Sequence, residues 1–199
     1  MQKTGLLFGS FNPIHIGHLA LANYLLEFSG FDEVWFIVSP KNPFKNKKGL
    51  ADASHRLKMV SMATAREERF KVSDVEFGMP LPSYTINTLH ELQKEYPGHH
   101  FSLIIGSDNL LSFPRWNAAK EIIEKYPITV YPRPGYPVEN AEKEILNKVK
   151  VIQAPLLDIS STLIREAFSQ NKKLPYLLHH EVYEYINANE LYSGKDDRQ

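Results

Sequence analysis

Short apolar runs alternate with amphipathic stretches along the whole chain. Leu6-Leu7-Phe8, Val34-Trp35-Phe36-Ile37-Val38, Phe101-Ser102-Leu103-Ile104-Ile105 and Ile128-Thr129-Val130-Tyr131 are compact, rich in β-branched and aromatic residues, and bounded by turn formers. They read as buried strands. Residues 70–75 and 149–153 read as two shorter ones. Between them the apolar positions fall at helical spacing. Over 18–28, Leu19, Ala22, Leu25 and Leu26 share a face; over 52–65, Leu57, Met59 and Val60 lie near the buried side; over 85–96, Ile86, Leu89 and Leu92 do the same. Residues 116–126 and 139–148 read as helices, and 160–170 and 176–189 as two closing helices. Pro80 and Pro82 keep the segment before Thr85 extended. A loop rich in Pro, Asn and Lys runs over 39–49. No internal repeat and no low-complexity tract interrupts the pattern.

Strand and helix alternating at this spacing imply parallel strands joined by right-handed crossovers. The expected architecture is α/β: a doubly wound open parallel sheet with helices on both faces and the closing C-terminal helices packed against it. Such sheets bind ligands beyond the carboxyl ends of their strands. The places to search are therefore just after Phe8, Val38, Ile105, Tyr131 and Gln153. One domain over 1–193 is expected, followed by a polar tail over 194–199.

Composition narrows the chemistry. The 199 residues fit one domain, and 23 basic against 23 acidic residues give a formal net charge of zero. No broad basic footprint argues for a nucleic-acid partner, so an anionic substrate must be held by local charge. Cysteine is absent, which excludes disulfides, thiolate metal sites and a cysteine nucleophile. No apolar run is long enough for a signal core or a membrane span, and a cytoplasmic protein is expected.

Two segments carry candidate chemistry. The first strand leads into Gly9-Ser10-Phe11-Asn12-Pro13-Ile14-His15-Ile16-Gly17-His18. Gly9 lets the backbone approach a ligand, and His18 is read as opening the helix. A helix N-terminus offers unpaired N–H groups and partial positive charge to an anion. His15 and His18 beside it are suited to donating hydrogen bonds to phosphate oxygens, with Gly17 removing a side chain between them. The second segment is Ile159-Ser160-Ser161-Thr162-Leu163-Ile164-Arg165. Its serines suit an N-cap, and Arg165, one turn beyond Ser161, offers a guanidinium fork to a phosphate. Alone, this second segment reads better as a simple cap with a surface arginine.

Together the two segments resemble the class I nucleotidyltransferases. His15-Ile16-Gly17-His18 is similar to their HxGH signature, and 159–165 matches their ISSTxxR element residue for residue. The resemblance implies a Rossmann-like nucleotidyltransferase fold in which both elements face the triphosphate of ATP. It assigns Gly9, Ser10, Phe11, His15, His18, Ile159, Ser160, Ser161 and Arg165 to ATP, with His15, His18 and Arg165 catalytic.

Three further segments are similar to those of the bacterial nicotinate mononucleotide adenylyltransferases: Pro40-Lys41-Asn42-Pro43-Phe44-Lys45, Ser83-Tyr84-Thr85-Ile86-Asn87-Thr88-Leu89, and Ile104-Ile105-Gly106-Ser107-Asp108-Asn109-Leu110 leading to Trp116. The resemblance covers nearly the whole chain. It implies that Asp108 binds a ribose hydroxyl, that Trp116 stacks on the pyridine ring, and that Tyr84 and Thr85 start a helix whose N–H groups meet the pyridine carboxylate. Asn12 and Lys45 complete the mononucleotide set. Phe44 stands where the family often carries histidine. Read without the resemblance, Asp108 is as good a helix cap, Trp116 as good a core residue, and Tyr84 and Thr85 as good a turn and cap. Arg133 follows a strand end but reads equally as a solvated loop arginine, and it stays outside the candidate set. His90, His99, His100, His179 and His180 show no metal-ligand arrangement, and His99-His100 read as a surface turn before a strand.

The implied reaction is direct, in-line attack by the 5′-phosphate of nicotinate mononucleotide on the α-phosphorus of ATP, with no covalent enzyme intermediate, giving deamido-NAD and pyrophosphate. Magnesium is expected on the triphosphate, held by phosphate oxygens and water, with no metal site of the protein's own. A monomer or small homo-oligomer is expected. Two other readings are weaker: a phosphopantetheine adenylyltransferase, which shares the HxGH element but is opposed by Trp116 and the segment over 83–89, and a catalytically silent nucleotide-binding sensor on the same fold, which is opposed by the intact His15, His18 and Arg165.

Overall fold

The computed structural model describes residues 1–40, 49–155 and 157–194. Its centre is a sheet of six parallel strands: β1 Gln2–Gly9, β2 Glu33–Val38, β3 Phe70–Ser73, β4 His99–Gly106, β5 Ile128–Tyr131 and β6 Val149–Val151. They lie in the order β3-β2-β1-β4-β5-β6, with every paired neighbour parallel. The helices are α1 Ile16–Phe28, α2 Ala53–Thr64, α3 Thr85–Glu95, α4 Ser107–Ser112, α5 Ala119–Lys125, α6 Lys143–Leu146, α7 Ser161–Ser169 and α8 His180–Ala188.

The unbroken apolar runs are explained by two cores, one on each face of the sheet. Leu7, Val34, Phe36, Val38 and Ile104 point to one side, where they meet Ala22 and Leu25 of α1, Met59 and Val60 of α2, Ile164 of α7, and Val182 and Ile186 of α8. Leu6, Trp35, Ile37, Leu103 and Ile105 point to the other, against Ile86 and Leu89 of α3, Phe113, and Ile122 of α5. The period of two along each strand sorts the residues between the two faces. The strand order reverses between β1 and β4, so a crevice opens beyond their carboxyl ends.

Several boundaries differ from the sequence expectation. Helix α1 begins at Ile16, so His15 is its N-cap and His18 sits in its first turn. Strand β3 stops at Ser73 and passes into a single 3-10 turn, Val75–Gly78. A short helix follows β4 directly, with Asp108 in its first turn, where a carboxylate favours the helix dipole. Pro114 then opens a 3-10 turn that Trp116 closes, so the helix expected from Trp116 starts at Ala119. The stretch 139–148 has few apolar positions to hold a long helix, and it breaks into Val138–Asn140 and α6. The last expected helix is likewise divided, because Leu178 is extended and buried between Pro175–Leu177 and α8. His99 opens β4, with its Nδ1 2.8 Å from Thr4 Oγ1. Among the described residues no helix is long and apolar enough to cross a membrane.

Candidate active site

Beyond β1 the chain turns through Ser10 to Ile14, all buried, before α1 begins. Phe11 adopts a positive φ of 43°, which folds its ring back over Gly9. A Cβ on Gly9 would come within 2.9 Å of that ring, so only glycine fits beneath it. Phe11 is thereby a packing residue, edge-on to His18 with centroids 5.2 Å apart and 5.7 Å from Phe36.

The two histidines lie against each other, with ring centroids 3.8 Å apart. His15 is 6 % exposed. Burial above all, and then the Arg133 guanidinium, bring its pKa down to about 4, so its imidazole is neutral at pH 7. Its Nδ1 is buried and has no partner. The His15 backbone N–H donates to His18 Nδ1 at 3.3 Å. That contact places the proton of a neutral His18 on Nε2, the nitrogen farther from the backbone. Gly17 leaves room for this stack, since a Cβ there would sit 3.0 Å from His15 Nδ1.

The second element is tied to the first. Ser160 caps α7, its hydroxyl accepting the Leu163 N–H at 3.1 Å. The Ser161 hydroxyl donates to the Pro13 carbonyl at 2.9 Å. Arg165 donates from Nη1 to the Asn12 carbonyl at 2.8 Å and from Nη2 to Thr162 Oγ1 at 3.3 Å. The starts of α1 and α7 thus share the walls of one cleft of about 390 Å³. Gly9, Ser10, Phe11, Asn12, His15, His18, Ile159, Ser160, Ser161, Arg165 and Asp108 all line it.

Arg133, left outside the candidate set on sequence grounds, lines it too. Its backbone N–H donates to Ser107 Oγ at 2.8 Å, and its Nη1 meets Asp108 Oδ2 at 3.1 Å. Asp108 Oδ1 is buried without a partner. Gly106 makes the juxtaposition possible, for a Cβ there would fall 2.7 Å from Arg133 Cδ. Position after a strand end was the available signal for Arg133, and it was read as a solvated loop.

Arg56 was also missed. It is fully buried on α2 and has no carboxylate partner in hydrogen-bond contact. Its Nη1 donates to the Ser10 and Ser39 carbonyls, both at 2.7 Å, its Nη2 to Pro40 at 2.8 Å and its Nε to Ala51 at 2.9 Å. Burial lowers its pKa, but from a value so high that it stays charged. One guanidinium therefore joins the ends of β1 and β2 to the segment that enters α2. The signal was in the sequence: Arg56, Met59, Val60 and Ala63 follow helical spacing on one buried face.

Asn12 is engaged almost completely. Its Nδ2 donates to Gly49 O at 2.7 Å, and its Oδ1 accepts from Ala51 N–H at 3.1 Å and from the Tyr192 hydroxyl at 2.8 Å. Among the described residues, its second amide proton meets no acceptor.

The remaining mononucleotide candidates stand apart from this cleft. Tyr84 is the N-cap of α3, without a side-chain cap bond, and is 38 % exposed. Thr85 is the first residue of α3 and half-buried. Trp116 is half-buried against Phe113, centroids 5.5 Å apart. None of the three lines the cleft. The turn before α3 is fixed from below by Glu76, buried, which accepts from Ser83 at 2.8 Å and Thr88 at 2.9 Å. Lys45 and Phe44 lie outside the described residues. Among the described residues no three His, Asp or Glu side chains converge as metal ligands.

Residues 6–167 match the cytidylyltransferase-like family model. A probable nicotinate-nucleotide adenylyltransferase of Bacteroides fragilis is 53 % identical over 184 residues, covering 92 % of this chain and 90 % of that one. The chain belongs to the nicotinate-nucleotide adenylyltransferases of the cytidylyltransferase-like family. A further member, a probable nicotinate-nucleotide adenylyltransferase of Flavobacterium johnsoniae, is 46 % identical over 191 residues, covering 96 % and 99 % of the two chains. The fold extends beyond sequence similarity. Nicotinic acid mononucleotide adenylyltransferase of Plasmodium falciparum, solved in complex with NaAD, superposes with a TM-score of 0.79 at 19 % identity, over 96 % of this chain and 98 % of that one.

Proposed function

We infer that the chain transfers the adenylyl group of ATP to nicotinate mononucleotide, forming deamido-NAD and pyrophosphate. The observation that carries this reading is the convergence of two helix N-termini, two stacked imidazoles and an anchored guanidinium on one cleft. In this reading the triphosphate lies across the starts of α1 and α7. The partnerless Nδ1 of neutral His15, in the tautomer that carries its proton there, would donate to a phosphate oxygen, and His18 donates from Nε2. Arg165, its position set by Asn12 and Thr162, and Arg133 supply positive charge. Asp108 Oδ1, buried and unpaired, accepts from a ribose hydroxyl. Magnesium enters as part of the MgATP substrate, held by phosphate oxygens and water.

The transfer needs no protein nucleophile. An oxygen of the mononucleotide 5′-phosphate, already anionic, forms the new bond to the α-phosphorus. The bond from that phosphorus to the bridging oxygen breaks, and its electron pair leaves with pyrophosphate. Catalysis is then alignment of two phosphates plus donors placed where charge grows on the leaving group. Across the turn before α3, the N–H groups at Tyr84 and Thr85 meet the pyridine carboxylate, and Trp116 offers the ring a flat partner. We place the activity in one domain over 1–193, in a monomer or small homo-oligomer of the cytoplasm.

The test is turnover with ATP and each of three acceptors: nicotinate mononucleotide, its nicotinamide counterpart and phosphopantetheine. Deamido-NAD and stoichiometric pyrophosphate from the first, with less from the second and none from the third, is the expected result. Preferential adenylylation of phosphopantetheine, or no pyrophosphate from any acceptor, would refute the reading.

A further inference from the structure

Asn12 sits where four parts of the molecule meet. It follows the β1 turn, its carbonyl receives Arg165 from α7, and its amide grips Gly49 and Ala51 ahead of α2. The fourth contact comes from the far end of the chain. The Tyr192 hydroxyl, 180 residues away in sequence, donates to Asn12 Oδ1 at 2.8 Å.

The hydrogen bonds fix the amide's orientation. Oδ1 accepts two protons, from Ala51 N–H and from Tyr192, and Nδ2 donates to a carbonyl. A flipped amide would turn its NH₂ toward two donors and its oxygen toward an acceptor. Tyr192 can serve only as a protonated phenol, and burial pushes its pKa up.

The backbone is shaped to deliver that hydroxyl. After α8 the chain reverses through Glu190 at φ 49° and Tyr192 at φ 62°, with the Leu191 N–H returning to the Ile186 carbonyl at 3.0 Å. Two side-chain-bearing residues in the left-handed region carry a steric cost that the surroundings must hold in place. Ser10 and Asn12 line the cleft, and Arg56 donates to the Ser10 carbonyl, so the Tyr192 hydroxyl reaches the wiring of the site.

We propose that Tyr192 is a positioning residue for adenylyl transfer, which acts through Asn12 to hold Arg165 and the β1 turn in the geometry that receives the triphosphate. The proposal rests on the assignment of this cleft to ATP. It gives the closing C-terminal segment a part in substrate binding.

The test is the Tyr192→Phe variant, which removes one oxygen and keeps the ring. Loss of one net hydrogen bond from the network should weaken ATP binding about fivefold to tenfold by titration calorimetry. Hydrogen exchange at the Ala51 amide should quicken, while the amides of β1 and β4 keep their protection. In an Asn12→Ala background the tyrosine substitution should have no further effect, the signature of coupled residues.

Parental ATP affinity in Tyr192→Phe would overturn the proposal. So would equal loosening of β1 and β4, which would mark the bond as general stability, or additivity with Asn12→Ala. The calorimetry needs no acceptor. A parent that binds ATP but does not adenylylate nicotinate mononucleotide would sink the functional reading and still decide the part played by Tyr192.

Discussion

The two halves of the site are built differently. On the phosphate side, every wall is hydrogen-bonded to another: Ser161 to Pro13, Arg165 to Asn12, Arg56 to Ser10, and Tyr192 to Asn12. His15 and most of the β1 turn are buried. On the pyridine side, Tyr84 is 38 % exposed and carries no cap bond, and Trp116 rests on Phe113 away from the cleft. The Glu76 contacts with Ser83 and Thr88 stiffen that side. Donors that must meet charge in the transition state work best when fixed in advance. A flat ring with a carboxylate is recognised by surfaces that can close on it. In the proposed reading, the half that performs the chemistry is prepared, and the half that selects the acceptor is open.

Removing the phosphate-side wiring should have the larger effect. Arg56→Ala removes the donor from four carbonyls, one buried and three part-buried, and should lower stability by about 3 kcal/mol, read as a fall in the urea midpoint. Arg56→Lys should fall between the two, because an ammonium has three donors and no planar fork to span four carbonyls. A parental midpoint in both variants would show that the buried guanidinium is dispensable, and with it the contrast between a prepared and an open half.

Trp116→Ala probes the open half and should have a smaller effect confined to one substrate. Stacking on a base is worth about 1–3 kcal/mol by alanine substitution, and the pyridine ring is given the same scale. Affinity for nicotinate and nicotinamide mononucleotides should drop together, with ATP affinity and the preference for the nicotinate form preserved. If the variant unfolds, Trp116 is a core residue. If it folds and binds mononucleotide normally, the ring lies outside the site.

The sheet, its helices and the residues of both phosphate motifs were legible from the chain because period-two and helical patterns report burial directly. Gly9 and Gly17 are read from the chain as room for a ligand, whereas a Cβ on either would meet a ring of the protein itself, Phe11 or His15. What it concealed were partners distant in sequence. Nothing local to Ser161 shows that its hydroxyl donates to the Pro13 carbonyl, 148 residues away. Arg133 looks like a loop residue until β5 is paired beside β4 and Asp108 meets it. Tyr192 has no local signal at all, since its role depends on where α8 docks. Helix ends near Trp116 and Leu178 were misplaced because one-turn 3-10 segments carry too few residues to show a period.

The central claim is that adenylyl transfer takes place in the cleft between the starts of α1 and α7. His18→Ala, measured by single-turnover formation of deamido-NAD at saturating ATP and nicotinate mononucleotide, tests it most directly. The account predicts a fall of roughly 10²–10³ in rate, the loss typical of one transition-state donor, in a protein whose thermal unfolding matches the parent. A folded variant that turns over at the parental rate would contradict it.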